Sequence, residues 1–171
     1  MKTAICPGSF DPVTYGHLDI FRRASRLFDE VIVLVMVNID KNPSFTADER
    51  IEMIREVTQD IPNIRVESYD GLLIDYVKQV GACAIVKGLR AVSDFEYEFQ
   101  MALTNKTLYH GAETVFLTTS VYNMYVSSSL VKTIARFGGD IHRLVPEVLQ
   151  DRILARLHVD DSGKDKEAGV T

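Results

Sequence analysis

Apolar residues fall into two rhythms along this chain. Short continuous runs at Thr3 to Cys6, Val31 to Val37, Cys83 to Val86 and Val115 to Leu117 predict strands, and Ile64 to Tyr69 reads as another, third in chain order. Between them the apolar positions recur every third or fourth residue. Leu18, Phe21, Ser25 and Phe28 keep that helical spacing and predict a helix from about Gly16 to Phe28. Thr46-Ala-Asp-Glu49 is a capping box that opens a second helix, with Ile51, Ile54, Val57 and Ile61 as its inner stripe and Pro62 as its end. A short third helix runs through Leu72, Leu73, Tyr76 and Val80 and stops at Gly81. The helix after Ser93 gathers Phe95, Phe99, Ala102 and Leu103 on one face. Ser128 is expected to cap another, with Leu130, Ile134 and Phe137 inward and Gly138-Gly139 as its end, and a last helix follows Pro146. From Val159 to Thr171 the chain is polar and rich in Asp and Lys, which predicts a disordered tail after a single domain spanning residues 1–158.

Strands alternating with helices predict an α/β fold: a Rossmann-like, doubly wound sheet of five parallel strands with helices on both faces. The unbroken β-branched run from Val31 to Val37 fits a strand covered on both sides. Such sheets bind ligands at the carboxyl ends of their strands, at the switch point. Functional residues are therefore expected just after strands one, two, four and five.

Charge narrows the ligand. The 171 residues carry a net charge of −5 and no long Lys/Arg run, which disfavours nucleic acid but leaves room for a small anion. No apolar run reaches the ~18–20 residues of a membrane span, and the stretch after Lys2 stops at Pro7, too short for a secretory core. The two cysteines, Cys6 and Cys83, fall in predicted strands without Cys-x-x-Cys spacing. They read as buried reduced thiols suited to the cytoplasm, with a disulfide between them left open by sequence alone.

Four constellations occupy the expected places. Pro7-Gly8-Ser9-Phe10-Asp11-Pro12 and Thr14-Tyr15-Gly16-His17 follow strand one. Gly8 allows close backbone approach, Ser9 offers a hydroxyl and an N–H, and His17 falls in the first helical turn, where unpaired N–H groups favour phosphate. This is neither Gly-x-Gly-x-x-Gly nor a P-loop. Lys41 follows strand two as a point charge for phosphate. Lys87-Gly88-Leu89-Arg90 follows strand four, with Arg90 able to grip phosphate through two N–H groups, and Glu98 lies on the next helix, placed to accept from a ribose hydroxyl or to pair with Lys87 or Arg90. Ser127-Ser128-Ser129 opens a helix after strand five, where one serine suffices as cap and the others suit β- and γ-phosphates. Each segment alone has a plain reading as a turn, a cap or a solvated charge. Their joint order favours a phosphate site.

That order closely resembles the bacterial phosphopantetheine adenylyltransferases, from Gly8 through the serine run and on to about Leu157. The resemblance implies transfer of AMP from ATP to 4′-phosphopantetheine with Mg²⁺, giving dephospho-coenzyme A and pyrophosphate in the penultimate step of coenzyme A synthesis. It implies phosphopantetheine contacts from Ser9, Lys41, Leu73 and Lys87. ATP contacts are implied for Ser9, Phe10, His17, Gly88, Leu89, Arg90, Glu98, Asn123, Met124, Tyr125, Val126, Ser127, Ser128 and Ser129. His17, Lys41 and Arg90 are the implied catalytic residues, with no protein ligand for the metal. A homohexamer inhibited by coenzyme A is implied as well. Lys87 stands where some members carry arginine, and Asn123 where an aromatic residue is common.

Overall fold

The structure is a computed structural model that describes residues 1–37 and 42–159, without the side chains of Val92 and Ser93. Lys41 and the expected tail from residue 160 onward lie outside the described residues. The elements run β1 Thr3–Gly8, α1 Tyr15–Leu27, β2 Glu30–Met36, α2 Ala47–Thr58, β3 Ile64–Tyr69, α3 Leu73–Val80, β4 Ala84–Leu89, α4 Val92–Leu108, β5 Glu113–Thr118, α5 Ser128–Arg136 and α6 Gln150–Leu157.

The five strands form one sheet in the order β3-β2-β1-β4-β5. Every neighbouring pair is parallel, with Ile5 level with Ile32 on one side and Ile85 on the other. The chain winds outward from β1 to β3, returns, and continues outward through β4 and β5. The winding direction therefore reverses between β1 and β4, and the carboxyl ends of these two strands open a crevice.

Alternating strand residues feed two cores. Ala4, Cys6, Val33, Val35 and Val86 face α1, α2, α5 and α6 and pack with Phe21, Ile54, Val131 and Ile153. Ile5, Ile32, Leu34 and Ile85 point the other way, onto Ile74 and Val77 of α3. Burial on both faces is why residues 4–6, 31–35 and 84–86 of these strands are all apolar. Each fully buried Ile, Leu or Phe contributes about 1.5–3 kcal/mol by leaving water.

Local chemistry sets the helix ends. Thr46 accepts from the Glu49 N–H while Glu49 returns to the Thr46 N–H at 2.8 Å, so the expected capping box forms. Helix α2 stops at Thr58, short of the expected end, and Ile61 lies beyond it. Gly81, with φ 66°, closes α3 in the left-handed conformation. The cap of α5 is Ser127 rather than Ser128, because the Ser127 hydroxyl accepts from the Leu130 N–H. Phe137 does not turn inward: it follows the last turn of α5 and is 80% exposed. The face of α4 carrying Phe95, Phe99 and Leu103 is also exposed, with Phe95 touching only the nearby rings of Phe99 and Phe116 among aromatic partners.

Candidate active site

A cavity of about 540 Å³ opens where β1 and β4 end. Its floor is strand backbone from both, and its rim is the first turns of α1, α4 and α5. Ser9, Phe10, His17, Lys87, Gly88, Arg90, Glu98 and Val126 to Ser129 all line it, so segments far apart in sequence share one hollow.

The loop after β1 is built around an aromatic wedge. Phe10 holds a positive φ of 48°, an uncommon conformation for a residue with a side chain. Its ring folds back over Gly8, where an added Cβ would lie 2.7 Å from the ring. The same ring meets His17 edge-on at 5.1 Å and Phe21 at 5.2 Å. Gly8 is glycine because the wedge occupies the space of a side chain.

His17 closes a capping box with Thr14. The Thr14 hydroxyl accepts from the His17 N–H, and the Thr14 N–H donates to His17 Nδ1 at 3.1 Å. A nitrogen that accepts from an amide carries no proton, so the neutral ring bears its hydrogen on Nε2. Burial between the phenylalanines and the charge of Arg90 lower the imidazole pKa to about 4. At neutral pH the ring is an uncharged donor with a fixed tautomer.

Around this donor the cations are held by carboxylates. Lys87 and Gly88 belong to β4 itself, which continues to Leu89, past the expected end at Val86. The Lys87 ammonium lies 3.2 Å from Glu98, one of the two pairings open to that glutamate from sequence. Arg90 donates from Nε and Nη2 to the two oxygens of Asp94, at 3.0 and 3.4 Å, and from Nη1 to the Val126 carbonyl at 3.4 Å. The Ser128 hydroxyl donates to the Pro12 carbonyl at 2.8 Å, joining α5 to the β1 loop. The start of α5 lines the cavity with Ser127, Ser128 and Ser129, and the first turn of a helix is a favourable place for an anion.

Other expected contacts lie apart from the cavity. Leu73 begins α3 and packs against the second core. Leu89 ends β4, where its carbonyl accepts from the Thr119 N–H. Asn123 faces Gly16 across the mouth, while Met124 and Tyr125 are 49% and 59% exposed. Asp94, Tyr97 and Thr119 line the hollow although the sequence reading did not single them out as site residues. Asp94, four residues after Arg90 in the first turn of α4, was detectable as a nearby opposite charge. Cys6 lies in the floor as a free thiol whose pKa burial pushes up to about 12, so it supplies no thiolate at neutral pH.

A parallel sheet with a crevice of this size at its switch point, lined by a neutral imidazole, two cations and a serine-capped helix, defines a nucleotide-handling α/β protein. Comparison with known proteins narrows that class. A family model described as cytidylyltransferase-like matches residues 5–134. The phosphopantetheine adenylyltransferase of Caldanaerobacter subterraneus subsp. tengcongensis is 57% identical over 156 residues, spanning 91% of this chain and 98% of its own. That of Dictyoglomus turgidum is 52% identical over 93% of this chain and 99% of its own. Among solved structures, a putative nicotinate-nucleotide adenylyltransferase from Vibrio parahaemolyticus superposes with a TM-score of 0.67 over 91% of this chain and 96% of its own, at 19% identity, a likeness of fold. The chain belongs to the phosphopantetheine adenylyltransferase family, within the cytidylyltransferase-like proteins.

Proposed function

We infer that the protein transfers the adenylyl group of ATP to 4′-phosphopantetheine, releasing pyrophosphate and forming dephospho-coenzyme A. The observation that carries this reading is the shared hollow: His17, Arg90, Lys87 and the opening of α5 surround one space at the carboxyl ends of β1 and β4. Family membership names the acceptor.

The chemistry needs little from the protein beyond placement and charge. A phosphate oxygen of 4′-phosphopantetheine attacks the α-phosphorus of ATP in line. A new P–O bond forms, the bond from the α-phosphorus to the bridging oxygen breaks, and that electron pair leaves on pyrophosphate. No proton moves, because the attacking phosphate is already ionised. His17 donates its Nε2–H to the oxygen on which charge grows, without changing its own charge. Arg90 and the first turn of α5 hold the departing β- and γ-phosphates, with Ser9 and the Phe10 backbone along the chain of phosphates. Lys87, with Lys41, receives the attacking phosphate. Leu73 is assigned to the pantetheine arm, and Gly88, Leu89, Glu98 and the segment Asn123 to Val126 to the nucleoside. Among the described residues no cluster of three or more His, Cys, Asp or Glu could hold a metal ion. Magnesium enters with the nucleotide, as part of the MgATP substrate.

Three wider properties belong to the same proposal. Exposed rings along α4 support assembly into a homohexamer, since apolar surface of this kind marks an interface. Coenzyme A, which contains the whole product, would occupy the site and inhibit. Two unpaired thiols support a reducing, cytoplasmic setting, and no helix among the described residues is long and apolar enough to cross a membrane.

The test is pyrophosphate release by purified protein with MgATP and a panel of acceptors. Release with 4′-phosphopantetheine, and ATP formed from dephospho-coenzyme A and pyrophosphate in reverse, is the expected result. Turnover of nicotinate mononucleotide instead would overturn the acceptor assignment.

A further inference from the structure

Asp11 is buried, and its carboxylate takes no part in the transfer chemistry. It accepts from the Phe45 N–H at 2.9 Å, the Ser44 N–H at 3.0 Å and the Lys132 ammonium at 3.0 Å. The first two partners belong to the segment that leads into α2. The third belongs to α5, five residues beyond its serine cap. Asp11 itself follows Phe10 in the loop that ends β1. One carboxylate thus ties the β1 loop and α5, both of which border the cavity, to the segment that leads into α2.

Neighbouring bonds complete the junction. Arg50, also buried, donates to the Ser9 carbonyl at 2.8 Å and to the Thr46 carbonyl at 3.2 Å. Ser128 donates to the Pro12 carbonyl at 2.8 Å. Residues 9–12 are therefore held from the α2 side and from the α5 side, and Asp11 is bonded to both. A buried ion pair is weak evidence for stability, because apolar residues of the same volume often hold a fold as well. What such a pair supplies is a fixed distance and direction. Here that distance separates the Ser9–Phe10 backbone from the first turn of α5, the two surfaces between which the triphosphate is assigned.

We propose that Asp11 and Lys132 are a positioning pair that sets the width of the nucleotide cradle between the β1 loop and α5. Lys132 acts through Asp11, not by touching phosphate. The inference rests on the adenylyl-transfer reading only for the identity of the nucleotide.

The experiment measures the ATP dissociation constant by calorimetry for wild type, Lys132→Met, Lys132→Arg, Asp11→Asn and the double variant Asp11→Asn with Lys132→Met. Thermal unfolding is followed for each. Lys132→Met should weaken ATP about tenfold, and Lys132→Arg, which can still reach the carboxylate, should return it to within about threefold. Added to Asp11→Asn, Lys132→Met should cost less than about twofold, because a pair already broken cannot be broken again. Equal losses in the two backgrounds would mean that Lys132 meets phosphate directly and would overturn the pairing. An unchanged ATP constant in Lys132→Met would overturn it too. If Asp11→Asn fails to fold, Asp11→Ser takes its place in the cycle: a Lys132→Met loss that shrinks in that background supports the pair, and an undiminished loss sinks it. Failure of the adenylyl-transfer reading shows separately, as wild-type protein that releases no pyrophosphate, since nucleotide affinity is read without turnover.

Discussion

Replacing His17 with alanine removes the one side-chain donor in the cavity that is neutral, fixed in tautomer and free of any carboxylate partner among the described residues. Loss of a single preorganised donor to a developing oxyanion costs ~10²–10³ in rate, about 2.7–4 kcal/mol. The loss belongs in kcat, because the charge His17 meets is present mainly in the transition state. The ATP dissociation constant should therefore stay within about threefold of wild type. Stability falls as well. The Thr14 N–H, on a residue only 1% exposed, loses its acceptor, and an orphaned buried donor costs about 1–3 kcal/mol. For a chain of 171 residues, with about 2–4 °C per kcal/mol, the unfolding midpoint should drop by roughly 2–12 °C. Assays at 25 °C with circular dichroism as a folding control keep the two effects apart. Folded His17→Ala that turns over within about tenfold of wild type would refute the role argued for this imidazole.

Three further outcomes follow from the same geometry. Gly8→Ala places a methyl 2.7 Å from a Phe10 ring already wedged between His17 and Phe21, so the ring must shift. A destabilisation of about 1–3 kcal/mol is expected with a fall in kcat, read by thermal unfolding and pyrophosphate release. Arg90→Lys keeps the charge but loses the fork that spans Asp94 and the Val126 carbonyl. Catalytic efficiency toward ATP should fall by at least about tenfold, and parity with wild type in steady-state assays would show the fork is idle. The pH dependence has a definite sign. The unfolded imidazole takes a proton near 6.5, whereas the folded ring does so only near 4. Between those values the unfolded chain binds more protons, so His17 makes stability fall as pH drops through this window. Denaturant titrations of wild type and His17→Gln across pH 4 to 7 should show a shallower acid decline in the variant.

The periodicity that made the fold legible is the one the parallel sheet imposes. The inner strands, buried on both faces, are apolar through their centres, and all five predicted strands form in the structure, the edge strands β3 and β5 being only partly buried. What single-chain patterning misjudged was Phe137, expected inward but exposed just after the last turn of α5. Phe95, Phe99 and Leu103 keep helical spacing on α4 yet face outward, so the spacing reports a buried surface without saying what buries it. Boundaries slipped where backbone pairing outran composition. β4 continues through Lys87 and Gly88 because both remain in register with Phe116 and Leu117 of β5. The cap of α5 fell to the first of three serines, a choice set by which hydroxyl reaches the Leu130 N–H. Lys132 and Asp11, 121 residues apart, had no local signature at all.

The pairing of charges in the cavity has a consequence for catalysis. Lys87 is held by Glu98 and Arg90 by Asp94, each with part of its surface still in water. A cation that exchanges a carboxylate for a phosphate gains only the difference between two similar interactions, so these residues bind the ground state with restraint. His17 differs in kind. It gives up no ion pair and undergoes no change of charge, and its Nδ1 is already committed to Thr14. In the proposed transfer its interaction with the α-phosphate would therefore grow as negative charge grows there. In that transfer, cations with resident partners would set where the phosphates lie and let them leave, while the neutral donor would discriminate the transition state from the substrates on either side of it. The division predicts that substitutions at Arg90 and Lys87 appear first in Michaelis constants, and those at His17 in turnover. The reverse pattern in one set of steady-state measurements would show that the resident carboxylates do not temper the cations.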